Sequence, residues 1–384
     1  MRERAPVVII GTGLSGYSLA REFRKLDKET PLLMITADDG HSYSKPMLST
    51  GFTKGKLADE LVQSDAGAMA EQLGIQVRTY TTVTALDTDR HEIAIGDERL
   101  RYSKLVLAWG ADVIRLNLEG EGLEHVYSIN DLMDYRAFRQ ALEGRRRVAI
   151  MGAGLIGCEF ANDLVNGGYE VDMIAPCTTA LPGLLPDAAG DAIVQGLRDI
   201  GVRFHFETAV SRVDREGDGV RLVLDNGETV DADLVISAVG LRPRTELAKA
   251  AGLTVQKGIV VNRALETSAP DVYALGDCAE VDGYVLLYVL PLMASSRALA
   301  KTLAGTRTEV SYGTMPVVIK TPCCPTAVCP PPLSAQGQWE IEGEGLDIRA
   351  LFRDSSSQVI GFALTGKYAL EKQQLSKEVP PLHS

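Results

Sequence analysis

A glycine pattern that occurs twice constrains this fold more than any other feature of the sequence. Its first copy, Gly11–Gly16, reads G-T-G-L-S-G and stands between an apolar run, Val7–Ile10, and a helical pattern. The first glycine permits a tight turn, the second lets a ligand approach the backbone, and the third lets the helix pack on the strand. The start of that helix offers unpaired N–H groups and partial positive charge to a pyrophosphate. The motif therefore predicts a βαβ unit that binds a dinucleotide.

The second copy, Gly152–Gly157, reads G-A-G-L-I-G and again lies between an apolar strand pattern and a helix pattern. The similarity extends beyond the turns, because each copy is followed by alternating apolar runs and closes with a hydrophobic strand ending in glycine, Leu105–Gly110 or Leu234–Gly240. This order predicts two α/β domains, each with a three-stranded antiparallel insertion. A chance likeness between two α/β stretches is the alternative.

Length, charge and cysteine content narrow the class of protein. A chain of 384 residues is long enough for two or three domains. Its net charge of −12 disfavours nucleic-acid and anionic-membrane partners. No apolar run reaches the length of a membrane span, and Val7–Ile10 is too short for a signal peptide, so we expect a cytoplasmic protein. The six cysteines form no C-x-x-C pair, so neither a disulfide framework nor a metal site is expected.

Further motifs resemble a known family. The pyridine nucleotide-disulfide oxidoreductase superfamily has motifs similar to Leu107–Ala111, Ser237–Pro243 and Val272–Asp277. Within it, the chain resembles the bacterial rubredoxin reductases most closely, on four segments: Tyr43–Ser49, Gly157–Ala161, Gly276–Cys278 and Ile319–Pro322. The resemblance covers nearly the whole chain, and its superfamily motifs are highly specific.

The resemblance implies an α/β fold with two Rossmann-like domains, which bind FAD and NAD and carry antiparallel insertions, and a small α+β C-terminal domain. The FAD domain would comprise residues 1–111 and 241–313, with the NAD domain inserted at 112–240 and the C-terminal domain at 314–384. FAD would contact a dispersed set of residues: Gly11, Thr12, Gly13, Leu14, Ser15, Gly16, Thr36, Ala37, Lys45, Val83, Glu159, Asp277, Val289 and Lys320. NAD would contact the second turn: Gly152, Gly154, Leu155, Ile156 and Gly157.

The resemblance also implies roles for individual side chains. Asp277 would bind the ribityl chain of the flavin, although aspartate equally suits a helix N-cap. Lys45 would lie against the isoalloxazine and favour electron density on the reduced ring, and the alternative is a solvated loop lysine. Glu159 would reach the flavin–nicotinamide junction. In this superfamily the glutamate at this position often pairs with the lysine that corresponds to Lys45. The alternative for Glu159 is a carboxylate that only complements a helix dipole.

The same resemblance places three further features at the flavin. Lys320 would lie near its pyrimidine end. A helix is predicted over 291–303, with Pro291 in its first turn, and its N-terminus would point toward the pyrimidine ring. Val289 would precede this helix and contact the ring through its backbone.

The absence of a cysteine pair after the first glycine turn argues against disulfide reduction. Disulfide reductases of this superfamily carry a C-x₄-C pair after the FAD ribose strand, whereas Tyr43–Gly51 contains no cysteine. Cys324 and Cys329 have this spacing but lie beside prolines in the C-terminal region, and we interpret them as structural or free thiols. No side chain is expected to act as a catalyst, because hydride transfer is chemistry that FAD itself performs.

The resemblance implies a reductase that passes electrons from NADH through FAD to rubredoxin, feeding a hydroxylase, as in alkane degradation, or an oxygen-detoxifying chain. Rubredoxins are small and acidic, so docking calls for a basic patch. Lys45, Arg297, Lys301 and Lys320 could surround the flavin edge. The run Arg145–Arg147 is either part of such a patch or a solvated loop. The oligomeric state stays open, and a monomer is compatible with the sequence.

Alternatives remain for the acceptor and for the class of protein. The pattern also suits a flavorubredoxin or ferredoxin reductase, an NADH oxidase, or an NADH-sensing flavoprotein that interacts with partners. The choice between NADH and NADPH is weakly specified, because neither a ribose-binding carboxylate nor an arginine stands near Ala175. The absence of a local arginine tilts this choice toward NADH.

Overall fold

The computed structural model describes residues 5–382, which form two compact units. One unit, here the first unit, comprises residues 5–45, Val62–Asp112 and Leu241–Tyr312. The second unit comprises Pro46–Leu61, Val113–Gly240 and residues 313–382. Compactness alone defines these units, so the division into an FAD, an NAD and a C-terminal domain stays a prediction.

The first unit is built on a five-stranded parallel sheet. Its strands, in spatial order, are Val272–Ala274, Lys104–Leu107, Val7–Ile10, Leu32–Ile35 and Gln76–Arg78. The central strand Val7–Ile10 is buried throughout, as the apolar composition of a doubly covered parallel strand requires. The helix Leu14–Leu26 leaves this strand through the first glycine turn and packs against the helix Val289–Leu303.

Smaller elements complete the first unit. Three antiparallel strands, Ala85–Asp87, Glu92–Ile95 and Glu98–Arg101, follow the short helix Ala66–Leu73. Two short pairs are Ser42–Tyr43 with Val62–Ser64, and Ile259–Val261 with Ala279–Val281. The other elements are the strand Leu241–Pro243, the helix Glu246–Ala250 and a one-turn 3₁₀ helix, Gly276–Cys278. The strand Ala111–Val113 lies where the chain leaves this unit.

The second unit repeats the same plan. Its parallel sheet has the spatial order Val126–Tyr127, Leu234–Ser237, Arg147–Met151, Glu170–Ala175 and Arg203–Phe206. Three helices belong to this part: Leu132–Ala141, Leu155–Asn166 and Asp187–Asp199. An antiparallel sheet, Val210–Glu216, Gly219–Leu224 and Thr229–Ala232, packs against it through Val213, Leu222 and Val235. The predicted α/β repeat, with a three-stranded insertion in each copy, is confirmed.

The C-terminal part of the second unit is an antiparallel sheet. Its strands, in spatial order, are Val317–Ile319, Thr326–Cys329, Val359–Thr365, Asp347–Asp354 and Gly337–Glu344. The last helix, Lys372–Glu378, buries Leu375 against Phe362 and Leu364 of this sheet. A 3₁₀ segment, Gly366–Glu371, leads into that helix. Elsewhere in the chain, 3₁₀ segments occur at Lys45–Thr50, Asp59–Leu61 and Leu123–His125.

One predicted boundary is wrong. The helix predicted over 291–303 begins at Val289, so Val289 lies inside its first turn rather than before it. Pro291 is tolerated there because backbone N–H groups in the first turn have no intrahelical acceptor. Among residues 5–382, no helix is long and apolar enough to cross a bilayer.

Candidate functional site

The first glycine turn has the geometry that its sequence predicts. Gly11 has a φ of +112°, and a Cβ added there would lie 2.3 Å from the carbonyl oxygen of Ala108. A Cβ on Gly16 would lie 2.0 Å from the oxygen of Gly11, so the helix can approach the strand only through glycine. A Cβ on Gly13 would meet no described heavy atom within 4 Å. This open space is where a phosphate could approach the backbone.

A small cavity opens beside this turn. It measures about 180 Å³ and is lined by Thr12, Gly13, Leu14, Tyr17, Arg21, His41, Ser42, Tyr43, Ser44 and Gln63. Pockets for whole ligands usually measure about 300–1,000 Å³, so this cavity suits one portion of a dinucleotide. The Arg21 guanidinium donates to Ser42 Oγ at 2.9 Å and supplies a cation to the cavity lining.

Asp38 links the glycine turn to the end of the next strand. Its Oδ1 accepts hydrogen bonds from Thr36 Oγ1 at 2.6 Å, Thr12 Oγ1 at 3.3 Å and the Gly40 N–H at 2.9 Å. The predicted residues Thr12 and Thr36 therefore meet at one carboxylate. Of the other predicted residues here, Ala37 is exposed and Val83 is buried.

Asp277 lies close to both the glycine turn and Lys45. A Cβ on the preceding Gly276 would lie 2.9 Å from the Cβ of Ser15, so this turn packs directly on the first glycine helix. Asp277 Oδ2 is 4.0 Å from Lys45 Nζ, and burial raises the pKa of Asp277 while the Lys45 cation opposes the rise. Leu275 occupies the cap position of the 3₁₀ turn, so the alternative interpretation of Asp277 as an N-cap is wrong.

The second glycine turn repeats the first within the second unit. Gly152 has a φ of +107°, and a Cβ added to Gly157 would lie 2.1 Å from the oxygen of Gly152. A Cβ on Gly154 would again meet no described heavy atom within 4 Å. Gly154 caps the helix without a side chain, Leu155 is half-buried and Ile156 is exposed, so the N–H groups of the first turn can receive an anion.

Glu159, one turn further along this helix, is a buried carboxylate with several donors. It is 1% exposed. Its Oε1 accepts from the Lys320 backbone N–H at 3.0 Å, and its Oε2 accepts from Ser49 Oγ at 2.7 Å and forms an ion pair with Lys320 Nζ. Glu159 and Lys320, predicted separately, are therefore in direct contact. Sequence reasoning missed Ser49, whose only signal was its place in the Tyr43–Ser49 motif.

Asp163, on the same helix, was also missed. Its buried carboxylate accepts from the backbone N–H groups of Phe52 at 3.0 Å and Thr53 at 2.7 Å. The Phe52 ring packs edge-on against Tyr135, and the Arg139 guanidinium lies 4.1 Å from its centroid. These contacts fasten the segment Pro46–Leu61, which contains Ser49, to the second unit.

The six cysteines form no disulfide bond with one another. All six are free thiols, and four of them are buried: Cys158, Cys278, Cys324 and Cys329. Burial raises the pKa of Cys329 to about 11 and also raises that of Cys324, which disfavours the reactive thiolate. This agrees with the interpretation of these two as structural or free thiols. Within residues 5–382, no group of three or more histidine, cysteine, aspartate or glutamate side chains is arranged to hold a metal ion.

Comparison with known proteins identifies the family. Residues 5–301 match the family model described as pyridine nucleotide-disulphide oxidoreductase. The chain belongs to this family. Residues 309–379 match a second model, described as a rubredoxin binding C-terminal domain.

Curated relatives align over almost the entire chain. A rubredoxin-NAD(+) reductase of Alcanivorax borkumensis is 54% identical, covering 98% of this chain and 99% of the relative. The protein of the same name from Acinetobacter baylyi is 45% identical, with 98% of both chains covered. A nitric oxide reductase FlRd-NAD(+) reductase of Aeromonas hydrophila is 36% identical, covering 97% of this chain and 96% of the relative.

Solved structures with low sequence identity support the fold. The covalent putidaredoxin reductase–putidaredoxin complex matches with a TM-score of 0.87 at 24% identity, over 98% of this chain and 94% of that chain. An NADH:rubredoxin oxidoreductase from Clostridium acetobutylicum matches with a TM-score of 0.80 at 19% identity, over 98% and 95%. At such identities the comparison establishes the common fold alone.

Proposed function

We propose that this protein is an FAD-dependent reductase that passes electrons from NADH to rubredoxin. One observation carries the proposal: a pyridine nucleotide-disulphide oxidoreductase module over 5–301 is joined in one chain to a rubredoxin binding domain over 309–379. The 54% identity to a curated rubredoxin-NAD(+) reductase over nearly the full length supports the same reaction.

The first glycine turn fits the pyrophosphate of FAD. Gly13 leaves open space above the backbone, and the adjoining cavity carries the cationic Arg21. Asp38 fixes Thr12 and Thr36 at the edge where a dinucleotide ribose is expected. FAD, when bound, supplies the two-electron to one-electron conversion that no side chain can perform.

Lys45 and Asp277 are proposed to hold the flavin and its ribityl chain. Asp277 is partly desolvated, which raises the pKa of its carboxyl group, and perturbed groups of this kind cluster at functional sites. Lys45 provides a cation, and the helix Val289–Leu303 provides partial positive charge at its start. Both favour negative charge on a nearby ring.

Gly152–Gly157 is proposed to bind the pyrophosphate of NADH, and Glu159 with Lys320 to line the nicotinamide end of the site. Glu159 is held by Ser49 and Lys320, so its buried charge is compensated and its position is fixed. A rigid polar group of this kind orients a ligand and needs no protonation change during hydride transfer.

The physiological setting is part of the proposal. NADH is a cytoplasmic reductant, and six free cysteines are typical of proteins kept in reducing compartments. We therefore place the protein in the cytoplasm. Reduced rubredoxin would supply a hydroxylase, as in alkane degradation, or an oxygen-detoxifying chain.

A second acceptor is favoured by a specific observation. Relatives named nitric oxide reductase FlRd-NAD(+) reductase are 34–36% identical over the same length. Flavorubredoxin is therefore the alternative acceptor, and the higher identity to rubredoxin-NAD(+) reductases favours rubredoxin.

Stopped-flow spectroscopy tests the proposal. The FAD-loaded protein is reduced with NADH without oxygen and then mixed with oxidised rubredoxin, flavorubredoxin or air-saturated buffer. We expect flavin absorbance to return within milliseconds to seconds with rubredoxin and more slowly with the others. Failure of rubredoxin to reoxidise the flavin would overturn the proposal, and a long-lived reduced complex with NAD would indicate a sensing protein instead.

A further inference from the structure

The carboxyl end of the strand Glu170–Ala175 lacks the residue that usually selects the dinucleotide. In doubly wound folds an acidic residue there binds the adenosine ribose of NAD, and an arginine binds the 2′-phosphate of NADP. Here the strand is followed by Pro176, Cys177 and Thr178, which carry neither charge. These three residues therefore cannot distinguish the two dinucleotides by charge.

Glu207 occupies the adjacent position in space. It follows the neighbouring parallel strand Arg203–Phe206, and its backbone N–H donates to the carbonyl oxygen of Cys177 at 3.1 Å. The next residue, Thr208, donates its N–H to the carbonyl oxygen of Ala175. Glu207 thus lies against the turn that would hold the ribose-binding residue in other dinucleotide folds.

The backbone at this place is strained. Glu207 has a φ of +57°, in the left-handed region that glutamate seldom adopts. Leu181, with a φ of +51°, donates its N–H to the oxygen of Ala153 and so ties the loop after Cys177 to the second glycine turn. Backbone conformations of this kind are concentrated at ligand sites.

The Glu207 carboxylate is available for a ligand. The residue is exposed, and no ion pair or hydrogen bond engages its carboxylate within residues 5–382. By contrast, the basic side chains of the preceding strand are occupied. Arg203 Nη2 donates to Asp172 Oδ2 at 2.6 Å, and His205 Nε2 lies 3.1 Å from Asp172 Oδ1.

We infer that Glu207 is the residue that selects NADH over NADPH. Its carboxylate accepts hydrogen bonds from the adenosine ribose hydroxyls of NADH and repels the 2′-phosphate of NADPH. The carboxylate thus reaches the ribose from the neighbouring strand, in place of the missing acidic residue after Ala175. This inference rests on the proposed function, because it concerns the NADH site of that reductase.

Equilibrium binding tests the inference on the FAD-loaded protein. The dissociation constants of NAD⁺ and NADP⁺ are measured by calorimetry for the natural protein, for Glu207→Gln and for the control variant Glu121→Gln. Glu121 is an exposed residue in another loop of the second unit. We expect Glu207→Gln to narrow the preference for NAD⁺ by about 10-fold to 100-fold, since it removes a charged hydrogen bond and a charge repulsion. The control should keep the natural ratio.

Glu207→Asn guards against misfolding, because asparagine tolerates the left-handed conformation and is too short to replace the carboxylate. This variant should lower the ratio of the NADP⁺ dissociation constant to the NAD⁺ dissociation constant, as Glu207→Gln does. An unchanged ratio in both variants, or a natural protein that binds both dinucleotides equally, would overturn the inference while NADH could still reduce the flavin. Failure of the natural protein to bind either dinucleotide would overturn the proposed function as well.

Discussion

Ser49 Oγ donates a hydrogen bond to Glu159 Oε2 at 2.7 Å, between residues 110 positions apart in the sequence. Both side chains are buried. A buried carboxylate is costly unless donors and an opposite charge replace its lost hydration. Ser49 supplies one donor, and Lys320 supplies a backbone N–H and the compensating ammonium group. The segment Pro46–Leu61 therefore helps to fix the Glu159 carboxylate, which we propose lines the nicotinamide end of the site.

Replacing Ser49 by alanine should weaken this arrangement without abolishing it. Ser49→Ala removes one donor from a buried charge, so we expect a loss of about 1–3 kcal/mol in the free energy of unfolding. Urea denaturation of the FAD-loaded protein measures this loss. The matched control is Ser211→Ala, whose exposed hydroxyl bonds a strand carbonyl. Equal stability of the two variants would contradict the importance of the Ser49 contact.

Removing the cation from Glu159 should have a larger effect. Lys320→Met leaves a buried carboxylate without its ion-pair partner, and breaking such pairs typically costs about 3–5 kcal/mol. Adding Glu159→Gln should recover much of the stability, since the unpaired charge disappears. A double-mutant cycle from denaturant unfolding measures the coupling. Additive effects of the two changes would show that Lys320 and Glu159 do not stabilise each other.

Asp163 is expected to hold the segment Pro46–Leu61 in place. Asp163→Ala removes the acceptor for the N–H groups of Phe52 and Thr53, and both would then lose charge-assisted hydrogen bonds worth about 1.5–3 kcal/mol each. Limited proteolysis should cut this segment faster, and the midpoint of urea unfolding should fall. Asp191→Ala, on the exposed face of another helix, is the control. Unchanged proteolysis within 46–61 would argue against the anchor.

Sequence reasoning identified the elements of this fold that local patterns encode. Each glycine turn combines a strand, a turn and a helix start within a dozen residues, so its geometry could be predicted from neighbouring side chains. The contacts of Ser49 and Asp163 could not, because each joins a loop to a helix more than 100 residues away without a local signature. The role inferred for Glu207 likewise depends on pairing between two strands, which the sequence of either strand does not reveal.

The run Arg145–Arg147 is expected to be structural rather than a docking patch. Arg145 Nη1 donates to the backbone carbonyl oxygen of Asp233, and Arg147 forms an ion pair with the Asp233 carboxylate. Arg146 forms an ion pair with Glu170. Because these guanidinium groups are already engaged, replacing Arg146 with glutamine should leave the rate of rubredoxin reduction and its salt dependence unchanged. Stopped-flow rates at several ionic strengths test this. A slower rate with a weaker salt dependence in the variant would instead assign Arg146 to docking.

The Asp277 carboxyl group should make the FAD-free protein less stable at neutral pH than in acid. Burial raises the pKa of its carboxyl group above the ordinary value of 3.8, so the folded state binds this proton more tightly than the unfolded state does. Stability is then greatest while the group is protonated, falls as pH rises from about 3.8 through the folded pKa, and stays reduced above it. Each tenfold difference in proton affinity corresponds to about 1.4 kcal/mol.

Asp277→Asn removes this penalty. The variant loses the ion pair between Asp277 and Lys45, whose charged atoms are 4.0 Å apart. Partly exposed ion pairs contribute only about 0–1 kcal/mol to the free energy of unfolding. We therefore expect Asp277→Asn to raise the free energy of unfolding of the FAD-free protein at pH 7, to lose this advantage in acid and to weaken FAD binding. Urea unfolding across pH, with the exposed Asp282→Asn as control, measures the difference. A variant less stable than the natural protein at pH 7 would show that the Lys45 pairing outweighs the cost of burial.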